Sequence, residues 1–598
     1  MQQSPLADSP AHYLTQRLID AVIREDVAGC QSQSEVVDAS SVPGVPGAPA
    51  WPAEWLRWAL DRGTLWVPVA PARFMQRWRW SGQPMIWQPA TADETATVDH
   101  YEQLLVCLTS DETGESRELL ATYLAECRTA EGHHVRCQEE RDRWFAEACQ
   151  QGLHWRDLTA VPDRLLYFDR LAAFLDHPFY PSARAKSGFD DAALAAYGPE
   201  FAPRFQLRWL AVPCNEVTMR GRLPDAWPDF SDVGLNQQLA ENHRLIPVHP
   251  HLWDTALDRF LAETPLGSQV LRAPNPYLWV HPTLSVRTLV LEAEPQVHVK
   301  VPLTIRTLGN RNIRTVKPST LYDGHAIQRL LQDIIDNDQA LSKLLAVTDE
   351  STGLHAGDLP WLGCIVRRLP TLASQQAVVP VASLSADSPD GRCVAQTLAD
   401  VLTGGDLWTW VRHYLALTLR VHLRLWLEYG IALESNQQNS MLVLEPGQRP
   451  YLLLKDNDAP RIWPARLRHR LPSATPLLDQ LKDRRILVDD ETPLVQMFTT
   501  ITLQLNLAVV LEGLADRGPH QVTEWYRLLR QELIAALDQL DADGVDTAPA
   551  RRALLHDDRL FTKYLLRAGS LESKDRTGAA DINKFYGKTA PNFLRLTP

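Results

Sequence analysis

The sequence predicts an α+β protein with a largely helical C-terminal part, and three observations support this fold class. Between about residues 156 and 370, short β-like runs such as RFQLRWLAVP and VHVKVPLTIRTL alternate with proline-rich turns, which indicates an antiparallel sheet. Apolar residues at helical spacing dominate from about residue 371 onward. With 598 residues, the chain is long enough for several lobes that share packed interfaces.

The lobe boundaries are expected where this texture changes. The predicted division is an N-terminal lobe of residues 1–155, a mixed lobe of residues 156–370 and a helical lobe of residues 371–598. No internal repeat relates these three parts.

The N-terminal lobe should combine helices with a small sheet. Apolar spacing predicts a helix from Tyr13 to about Ala28, whereas the Pro-, Gly- and Ala-rich stretch from Ser40 to Trp55 predicts an extended loop. Strands are expected from Leu65 to Val69 and from Arg79 to Trp87. A long amphipathic helix is expected from Ser116 to Gln151.

The C-terminal lobe should be mainly helices. Asp406 to Tyr429 carries an apolar stripe, and Gly430 supplies a C-terminal stop. The stretches from Thr492 to Leu540 and from Pro549 to Ala568 are also expected to be helical.

Composition limits the class of function. The formal net charge of −13 argues against a general nucleic-acid binder. Eight cysteines without a CxxC pair fit a reducing cytosol. We see no apolar signal region and no apolar run of about 18 residues, so we expect a cytoplasmic protein without a membrane span.

The stretch GIALESNQQNSMLVLEPGQRPYLLLKDND concentrates oxygen-bearing side chains around two apolar runs. Met441 to Leu444 and Tyr451 to Leu454 should form a hairpin that turns at Pro446-Gly447. Its open ends would bring Asn439 close to Asp456, and such amide and carboxylate oxygens suit Mg²⁺. The alternative is a solvated polar hairpin whose amides satisfy their own turns.

Two further clusters carry charge. HPTLSVRTLVLE offers Ser285, Arg287 and Thr288 to an anion, and strand alternation would put Ser285 and Arg287 on one face. The segment from His298 to Lys317 is basic in an acidic protein, which indicates an anion site; a solvated basic strand face is the alternative.

A third cluster, DHPFYPSARAKSGF, is rigidified by two prolines and carries His177, Tyr180, Arg184 and Lys186. A histidine in such a loop is more often structural than catalytic. The chain has no GxGxxG, GxxxxGK[ST] or GxSxG motif, so any ATP site lacks a Walker loop.

The order of these motifs resembles the NRPS-independent siderophore synthetases, the aerobactin-synthetase-like family, over about residues 100 to 570. The most specific parts are GIALESNQQN and HPTLSVRTL. The resemblance implies a three-lobed thumb, fingers and palm architecture with a distantly kinase-like palm, in a homodimer. It also implies that ATP and Mg²⁺ activate a carboxylate of citrate, α-ketoglutarate or a derivative as an acyl-adenylate, which an amine or alcohol then attacks.

The resemblance also implies roles for particular residues. The nucleotide would contact Ser285, Arg287, Thr288, Lys300, Asn436, Gln438, Asn439 and Asp456. The metal would be held by Glu434, Asn439 and Asp456. The carboxylate substrate would be bordered by His177, Tyr180, Arg184, Lys186, Arg314 and Lys563. Catalytic roles would fall to Arg314, Lys300 and His177. Because the attacking amine must be neutral, the chemistry favours a nearby base, and we expect His177 in that role.

The chain departs from the family pattern where substrates would lie. In the DHPFYPSARAKSGF loop, Tyr180 replaces a second histidine, and Arg184 and Lys186 are exchanged in type. Asn436 also replaces a histidine. The segment that ends at the substrate arginine, Arg314, reads GNRNIR, where many members have Thr or Ser before this arginine. These changes question citrate itself more than the ATP chemistry.

Two other functions stay open at this point. A kinase-like phosphotransferase could use the same Asn and Asp metal site, although no HRD motif is present. The other is a non-enzymatic or redox siderophore-handling protein. Related reductases hold an iron–sulfur cluster through late cysteines, but no cysteine follows Cys393.

Overall fold

The structure, a computed structural model, describes residues 9–44, 52–92, 94–108, 114–309, 311–573 and 585–595. Helices and strands are mixed along the whole of this part of the chain, which confirms the α+β class.

The N-terminal part consists of helices around an antiparallel sheet with strand order β1-β2-β3-β5-β6, where β4 also pairs with β3. Its elements are α1 (Pro10–Arg24), β1 (Glu35–Asp38), β2 (Glu54–Leu60), β3 (Gly63–Pro71), β4 (Trp78–Trp80), β5 (Met85–Pro89), β6 (Ala96–Val98), α2 (Tyr101–Cys107) and α3 (Gly114–Gln151).

The middle part carries the largest sheet, with strand order β10-β7-β11-β12-β13-β16-β15-β8 and β9 paired to β7. Its elements are α4 (Val161–Ala173), α5 (Asp191–Tyr197), β7 (Phe205–Pro213), β8 (Val217–Arg220), β9 (His243–Val248), α6 (Pro250–Thr255), α7 (Leu257–Ala262), β10 (Leu271–Arg272), β11 (Tyr277–Pro282), β12 (Thr288–Leu291), β13 (Val297–Lys300), α8 (Pro318–Asn337), β14 (Leu345–Val347), β15 (Asp349–Ala356) and β16 (Gly363–Arg368).

The C-terminal part packs helices around the small sheet β14-β20-β19-β17 and the pairs β18-β21 and β22-β23. Its elements are β17 (Ala377–Pro380), α9 (Val394–Leu402), α10 (Leu407–Leu427), β18 (Ile431–Ala432), β19 (Ser440–Leu444), β20 (Tyr451–Leu454), β21 (Arg461–Ile462), α11 (Pro464–Arg470), α12 (Thr475–Asp479), α13 (Thr492–Met497), a π-helix (Phe498–Ala508), α14 (Val509–Ala515), α15 (Val522–Ala542), α16 (Ala548–Ala550), a second π-helix (Arg551–His556), β22 (Arg559–Lys563), a third π-helix (Arg567–Leu571) and β23 (Tyr586–Pro591).

Two large apolar cores organise these parts. One joins the first helix, the N-terminal sheet and the C-terminal helices, and it runs from Leu14 to Leu594. The other lies under the largest sheet, between Leu207 and Val366. The N-terminal and C-terminal parts therefore share one core, and the division into three lobes stays a prediction.

The N-terminal helix is tied to the C-terminal end by a buried carboxylate. Glu25, which follows α1, accepts the backbone N–H groups of Leu565 and Leu566 on Oε1, both at 3.0 Å, and that of Arg567 on Oε2 at 2.9 Å. A carboxylate at the first turn of a helix satisfies N–H groups that lack intrahelical partners. This contact fixes α1 beside the strand that ends at Lys563.

Several element predictions are confirmed, and others differ from the structure. α10 begins after its N-cap Asp406 and ends before Gly430, whose φ of 67° only glycine adopts without strain. The expected loop from Ser40 is partly wrong, because β2 starts at Glu54; residues 45–51 lie outside the described residues. Arg559–Lys563 is a strand and not helix, because it pairs with β23.

One helical stretch, Thr492–Ala515, is long and apolar enough to cross a membrane by length and composition alone, with a mean hydropathy of 1.7. The sequence expectation missed it. Its most apolar window is 83% buried inside the protein, as in the central helix of a folded core. A single helix of this kind is weak evidence for a span.

Candidate active site

The hairpin of β19 and β20 brings the predicted ligand-bearing segments together. Ser440 pairs with Leu454, and the N–H of Lys455 donates to the carbonyl oxygen of Asn439 at 3.1 Å. Asn439 and Asp456 therefore lie at adjacent strand ends, as the two apolar runs and the Pro-Gly turn predict.

Asp456 is the charged centre of the site. Its Oδ1 lies 2.5 Å from Lys300 Nζ, and its Oδ2 lies 2.8 Å from Arg367 Nη2. Burial opposes the carboxylate charge, but Arg367 and Lys300 together hold the pKa of Asp456 well below its usual range. Its φ of 56° is a left-handed conformation, which in non-glycine residues often occurs at functional sites.

Two partners of this centre were missed by the sequence analysis. Arg367 is 2% exposed and also donates from Nε to Glu350 Oε1 at 2.6 Å. The same Glu350 oxygen accepts the N–H of Asp456 at 3.1 Å. Arg367 pairs with His298 across β16 and β13, so it stands beside the strand end that carries Lys300. The available signal was an arginine inside the apolar run GCIVRR.

The loop from Glu434 to Asn439 is shaped by its own amides. Asn436 Oδ1 accepts the backbone N–H groups of Gln438 at 2.9 Å and Asn439 at 3.0 Å. Asn439 Nδ2 in turn donates to the carbonyl oxygen of Glu434 at 3.0 Å. The amide oxygen of Asn436 is thus used to fold the loop, which gives this residue a positioning role.

Lys563 closes the loop from the opposite side. Its ammonium lies 3.5 Å from Glu434 Oε1, and its side chain is 9% exposed. β22 places Lys563 at its last position. The predicted late lysine therefore meets the predicted acidic loop.

The prediction that Ser285 and Arg287 share a strand face is wrong. Both lie in a turn between β11 and β12, where Thr283 Oγ1 accepts the N–H of Ser285 at 3.2 Å and donates to the carbonyl of Thr288 at 2.9 Å. Thr288 is fully buried, and its hydroxyl donates to Ser285 Oγ at 3.3 Å. Ser285 and Arg287 are therefore the half-buried members of this motif.

Arg287 and Arg314 form the cationic side of the site. Arg287 Nη1 donates to the carbonyl oxygens of Arg314 at 3.0 Å and Thr315 at 2.7 Å. Burial lowers the pKa of Arg287, while Asp456 and Asp458 oppose the shift.

Arg314 connects the two sides. Its Nε donates to Thr307 Oγ1 at 2.5 Å. Burial and the charge of Arg287 lower the pKa of Arg314 to about 10, and Asp456 and Glu434 oppose this. Its guanidinium is thus within electrostatic reach of both the Asp456 centre and the Glu434 loop. Residue 310, in the unusual GNRNIR segment, lies outside the described residues.

His177 is neutral and is oriented by backbone. Its Nδ1 accepts the N–H groups of Phe179 and Tyr180, both at 3.2 Å, so the ring proton belongs on Nε2. Burial, with the positive charges of Lys563 and Arg17, lowers the pKa of His177 to about 3. His177 is therefore arranged as a hydrogen-bond donor, an arrangement that does not favour the predicted base.

The pKa of His177 gives a pH prediction. An unfolded histidine takes up a proton near pH 6.5, whereas folded His177 stays neutral to about pH 3. The unfolded state therefore binds more protons, and the free energy of unfolding falls as pH drops from about 7. In urea titrations at pH 7 and 5, His177→Gln should lose less stability on acidification than the wild type. The exposed His413→Gln is the control, and equal losses for wild type and His177→Gln would contradict the assignment.

Arginines of α1, which the sequence analysis did not single out, hold the His177 loop. Arg17 Nη2 donates to the carbonyl oxygens of His177 at 2.5 Å and Tyr180 at 2.7 Å. Arg24 Nη2 donates to the carbonyl of Phe179 at 2.7 Å.

Tyr180, Arg184 and Lys186 are engaged away from the Asp456 centre. Tyr180 is fully buried, and its hydroxyl donates to Glu126 Oε1 at 2.8 Å. Arg184 Nη1 lies 3.0 Å and Lys186 Nζ 2.6 Å from Glu200 Oε1. The structure gives these predicted substrate residues internal partners, because the two cations neutralise buried carboxylates.

The donor set fits a magnesium nucleotide. Among the described residues, no group of three or more His, Cys, Asp or Glu is placed to hold a metal. Mg²⁺, however, usually takes one or two carboxylates and completes its shell with substrate phosphates and water. Asp456 and the amide oxygen of Asn439 supply hard oxygens, and Lys300 and Arg287 supply cations for phosphate beside them.

Comparisons with known proteins identify the class and then the family. The chain has the fold of an aerobactin synthetase: the solved structure of ATP-bound aerobactin synthetase IucA from Klebsiella pneumoniae superposes with a TM-score of 0.66 at 18% identity, covering 98% of this chain and 100% of that one. Residues 165–386 match the IucA / IucC family. These matches confirm the resemblance drawn from the motifs.

Curated relatives are similar at low identity. Staphyloferrin B synthase of Staphylococcus aureus is 22% identical over 97% of this chain and 97% of its own length. L-2,3-diaminopropanoate–citrate ligase of the same organism is 24% identical over 50% of this chain and 54% of its own length.

A second family match concerns the C-terminal part. Residues 408–577 match the family described as ferric iron reductase FhuF-like transporter. This stretch contains no cysteine, so it offers no thiolate for an iron–sulfur cluster. The match agrees with the relationship to reductases that the sequence suggested, without supplying their ligands.

Proposed function

We propose that this chain is an ATP-dependent siderophore synthetase that adenylates a carboxylate and joins it to an amine or alcohol, with release of AMP and pyrophosphate. One observation carries the proposal: Lys300 and Arg367 contact Asp456, and the electrostatic reach of Arg314 includes both Asp456 and Glu434. Lys563 pairs with Glu434, and the charges of Lys563 and Arg314 both reach His177, so cations, oxygens and a neutral histidine are grouped together.

The chemistry requires both halves of such a site. A carboxylate is a poor electrophile until its charge is removed, and adenylation removes it. In that transition state, negative charge accumulates on the oxygens of the α-phosphorus, where fixed cations stabilise it without reorganisation. Lys300 and Arg287 would bind the phosphates, and Arg314 would lie between them and the acid.

Asp456 and Asn439 would hold Mg²⁺, which supplies further neutralisation of phosphate charge. Lys563 would pair with the substrate carboxylate, and His177 would donate its Nε2 proton to a substrate oxygen. Gln438 and Ser285 would complete the nucleotide contacts.

The acid is proposed to be citrate or an α-ketoglutarate-type carboxylate. The relative named as a citrate ligase supports citrate. Asn436, which replaces a family histidine, contributes its oxygen to the loop backbone, so a different acid or a pathway intermediate stays open. We propose that the protein acts in the cytoplasm on small-molecule substrates. We also propose that it forms a homodimer, as the family resemblance implies.

Hydroxylamine trapping tests this function. The purified chain with ATP, Mg²⁺ and hydroxylamine, offered citrate, α-ketoglutarate and succinate one at a time, should form a hydroxamate with one acid and release pyrophosphate and AMP. Hydroxylamine captures any activated acyl group, so one signal establishes adenylation and names the acid.

The controls separate the alternatives. Omission of the acid should abolish pyrophosphate release, and EDTA should abolish it with every acid. Release of ADP in place of AMP would contradict the ligase and support the phosphotransferase. If all three acids are silent, citryl- and succinyl-amine conjugates are tried, and silence with these would refute the proposal.

A further inference from the structure

The π-helix Phe498–Ala508 is an unusual element at the centre of the C-terminal part. All eleven residues are buried, yet the run FTTITLQLNLA contains five polar side chains. π-helical stretches are rare and often occur at functional sites. Polar groups buried this deeply are normally retained because they have specific partners.

Asn506 is fully buried and holds both ends of the loop that carries Glu434, Gln438 and Asn439. Its Nδ2 donates to the carbonyl oxygen of Ser435 at 2.9 Å and to Ser440 Oγ at 3.0 Å. Ser435 directly follows Glu434, and Ser440 directly follows Asn439.

The orientation of the Asn506 amide is itself fixed. Its Oδ1 accepts the hydroxyl of Tyr414 at 2.5 Å, which directs the two N–H groups at the loop. Ser440 Oγ donates onward to the carbonyl of Ser435 at 3.2 Å, so the loop ends are also joined to each other. A buried amide with these three bonds has one well-defined rotamer.

The same π-helix reaches the strand on the other side of the site. Gln504 Nε2 donates to the carbonyl oxygen of Phe561 at 2.9 Å, two residues before Lys563. Two polar residues of one rigid segment therefore contact the two elements whose side chains, Glu434 and Lys563, face each other at 3.5 Å.

We propose that Asn506 is a positioning residue for the nucleotide. Its two hydrogen bonds hold the Glu434–Asn439 loop in the position that Mg²⁺-ATP binding requires. Gln504 likewise holds the strand that carries Lys563, the proposed contact of the substrate carboxylate. This inference rests on the proposed function, because it assumes that the loop binds Mg²⁺-ATP.

The test compares Mg²⁺-ATP binding by isothermal titration calorimetry in the full chain. Asn506→Leu keeps the size of the side chain and removes both donors. A shift of about 1 Å in a positioned group can lower a reaction rate about 100-fold. Since binding depends on the same geometry, we expect the Kd of Mg²⁺-ATP to rise about 10- to 100-fold.

Thr500→Val is the matched control. Thr500 is buried in the same π-helix, but its hydroxyl donates within its own helix, to the carbonyl of Gln496 at 2.8 Å. It should change the Kd by less than about twofold. It should lower the urea midpoint less than Asn506→Leu does, because it breaks one bond within its helix and leaves the bonds of Asn506 to Ser435 and Ser440 in place. A purely structural role of Asn506 would lower the urea midpoint of Asn506→Leu and leave its Kd at the wild-type value.

Ser440→Ala covers the case in which Asn506→Leu fails to fold. It removes one acceptor of the Asn506 amide and should raise the Kd in the same direction by a smaller factor. A wild-type Kd in folded Asn506→Leu would overturn the inference. If Asn506→Leu does not fold, a wild-type Kd in Ser440→Ala would overturn it. Failure of the wild type to bind Mg²⁺-ATP would refute the proposed function as well, so the two failures are distinguishable.

Discussion

Asp456→Asn should reduce acid activation by about 100- to 1,000-fold, the range seen when one preorganised electrostatic partner of a transition state is removed. The substitution keeps the shape of the side chain and removes the charge that Lys300 and Arg367 contact at 2.5 and 2.8 Å. A neutral amide would bind Mg²⁺ more weakly and would no longer orient Lys300. Pyrophosphate release at saturating acid, measured against Mg²⁺ concentration, should show both a lower maximum and a higher Mg²⁺ requirement.

Asp349→Asn is the matched control. Asp349 lies next to Glu350 in sequence, and its carboxylate accepts the N–H of Ser351 at 2.9 Å. This variant should keep the wild-type Mg²⁺ requirement. If folded Asp456→Asn had a wild-type rate, Asp456 would not belong to the site.

The hairpin of this site could be predicted because its signals are local. Two apolar runs and the Pro446-Gly447 turn lie within a few positions of one another, and the register then fixes which strand ends meet. The contact between Lys300 and Asp456 joins residues 156 positions apart. No local pattern specifies such a pairing, and only the family resemblance assigns both residues to one nucleotide site.

Arg367 and Glu350 show what local patterns leave out. Arg367 acquires its role because β16 pairs with β13, a tertiary register that the sequence of either strand does not encode. The error at Ser285 has another cause. The hydroxyl of Thr283 bonds to the backbone of the following turn, and such side-chain bonds compete with the strand ladder that alternation predicts.

The helix predicted across Arg559–Lys563 failed for a similar reason. That segment pairs with Tyr586–Pro591, which lies too far along the chain for a helical period to detect, and this pairing overrides weak local propensity.

Distant partners also changed the interpretation of a charged cluster. A cluster of Arg and Lys in a loop indicates an anion, but the anion here is supplied by the protein, since Glu200 lies 14 and 16 positions from the two cations.

Arg184→Met should therefore destabilise the fold strongly while leaving the acid site intact. Arg184 is 6% exposed, lies 2.8 Å from Asp176 Oδ1 and 3.0 Å from Glu200 Oε1, and donates to the carbonyl of Ala173 at 2.7 Å. Burial opposes the charges of both carboxylates, but Arg184 lowers the pKa of Asp176, and Lys186 with Arg184 lowers that of Glu200.

Removal of one partner from a buried ion pair leaves an uncompensated charge and typically costs about 3–5 kcal/mol. We expect a loss of that size in the free energy of unfolding, measured in urea at pH 7. The exposed Arg306→Met, in the basic segment near the site, should change stability by less than about 0.5 kcal/mol.

The two roles predicted for Arg184 differ in their kinetic signature. A structural arginine leaves the KM for the acid unchanged in the folded fraction of the variant at low temperature. A substrate-binding arginine raises that KM and leaves the urea midpoint near the wild type. Because its guanidinium meets Asp176, Glu200 and two backbone carbonyls inside the protein, we expect the first result.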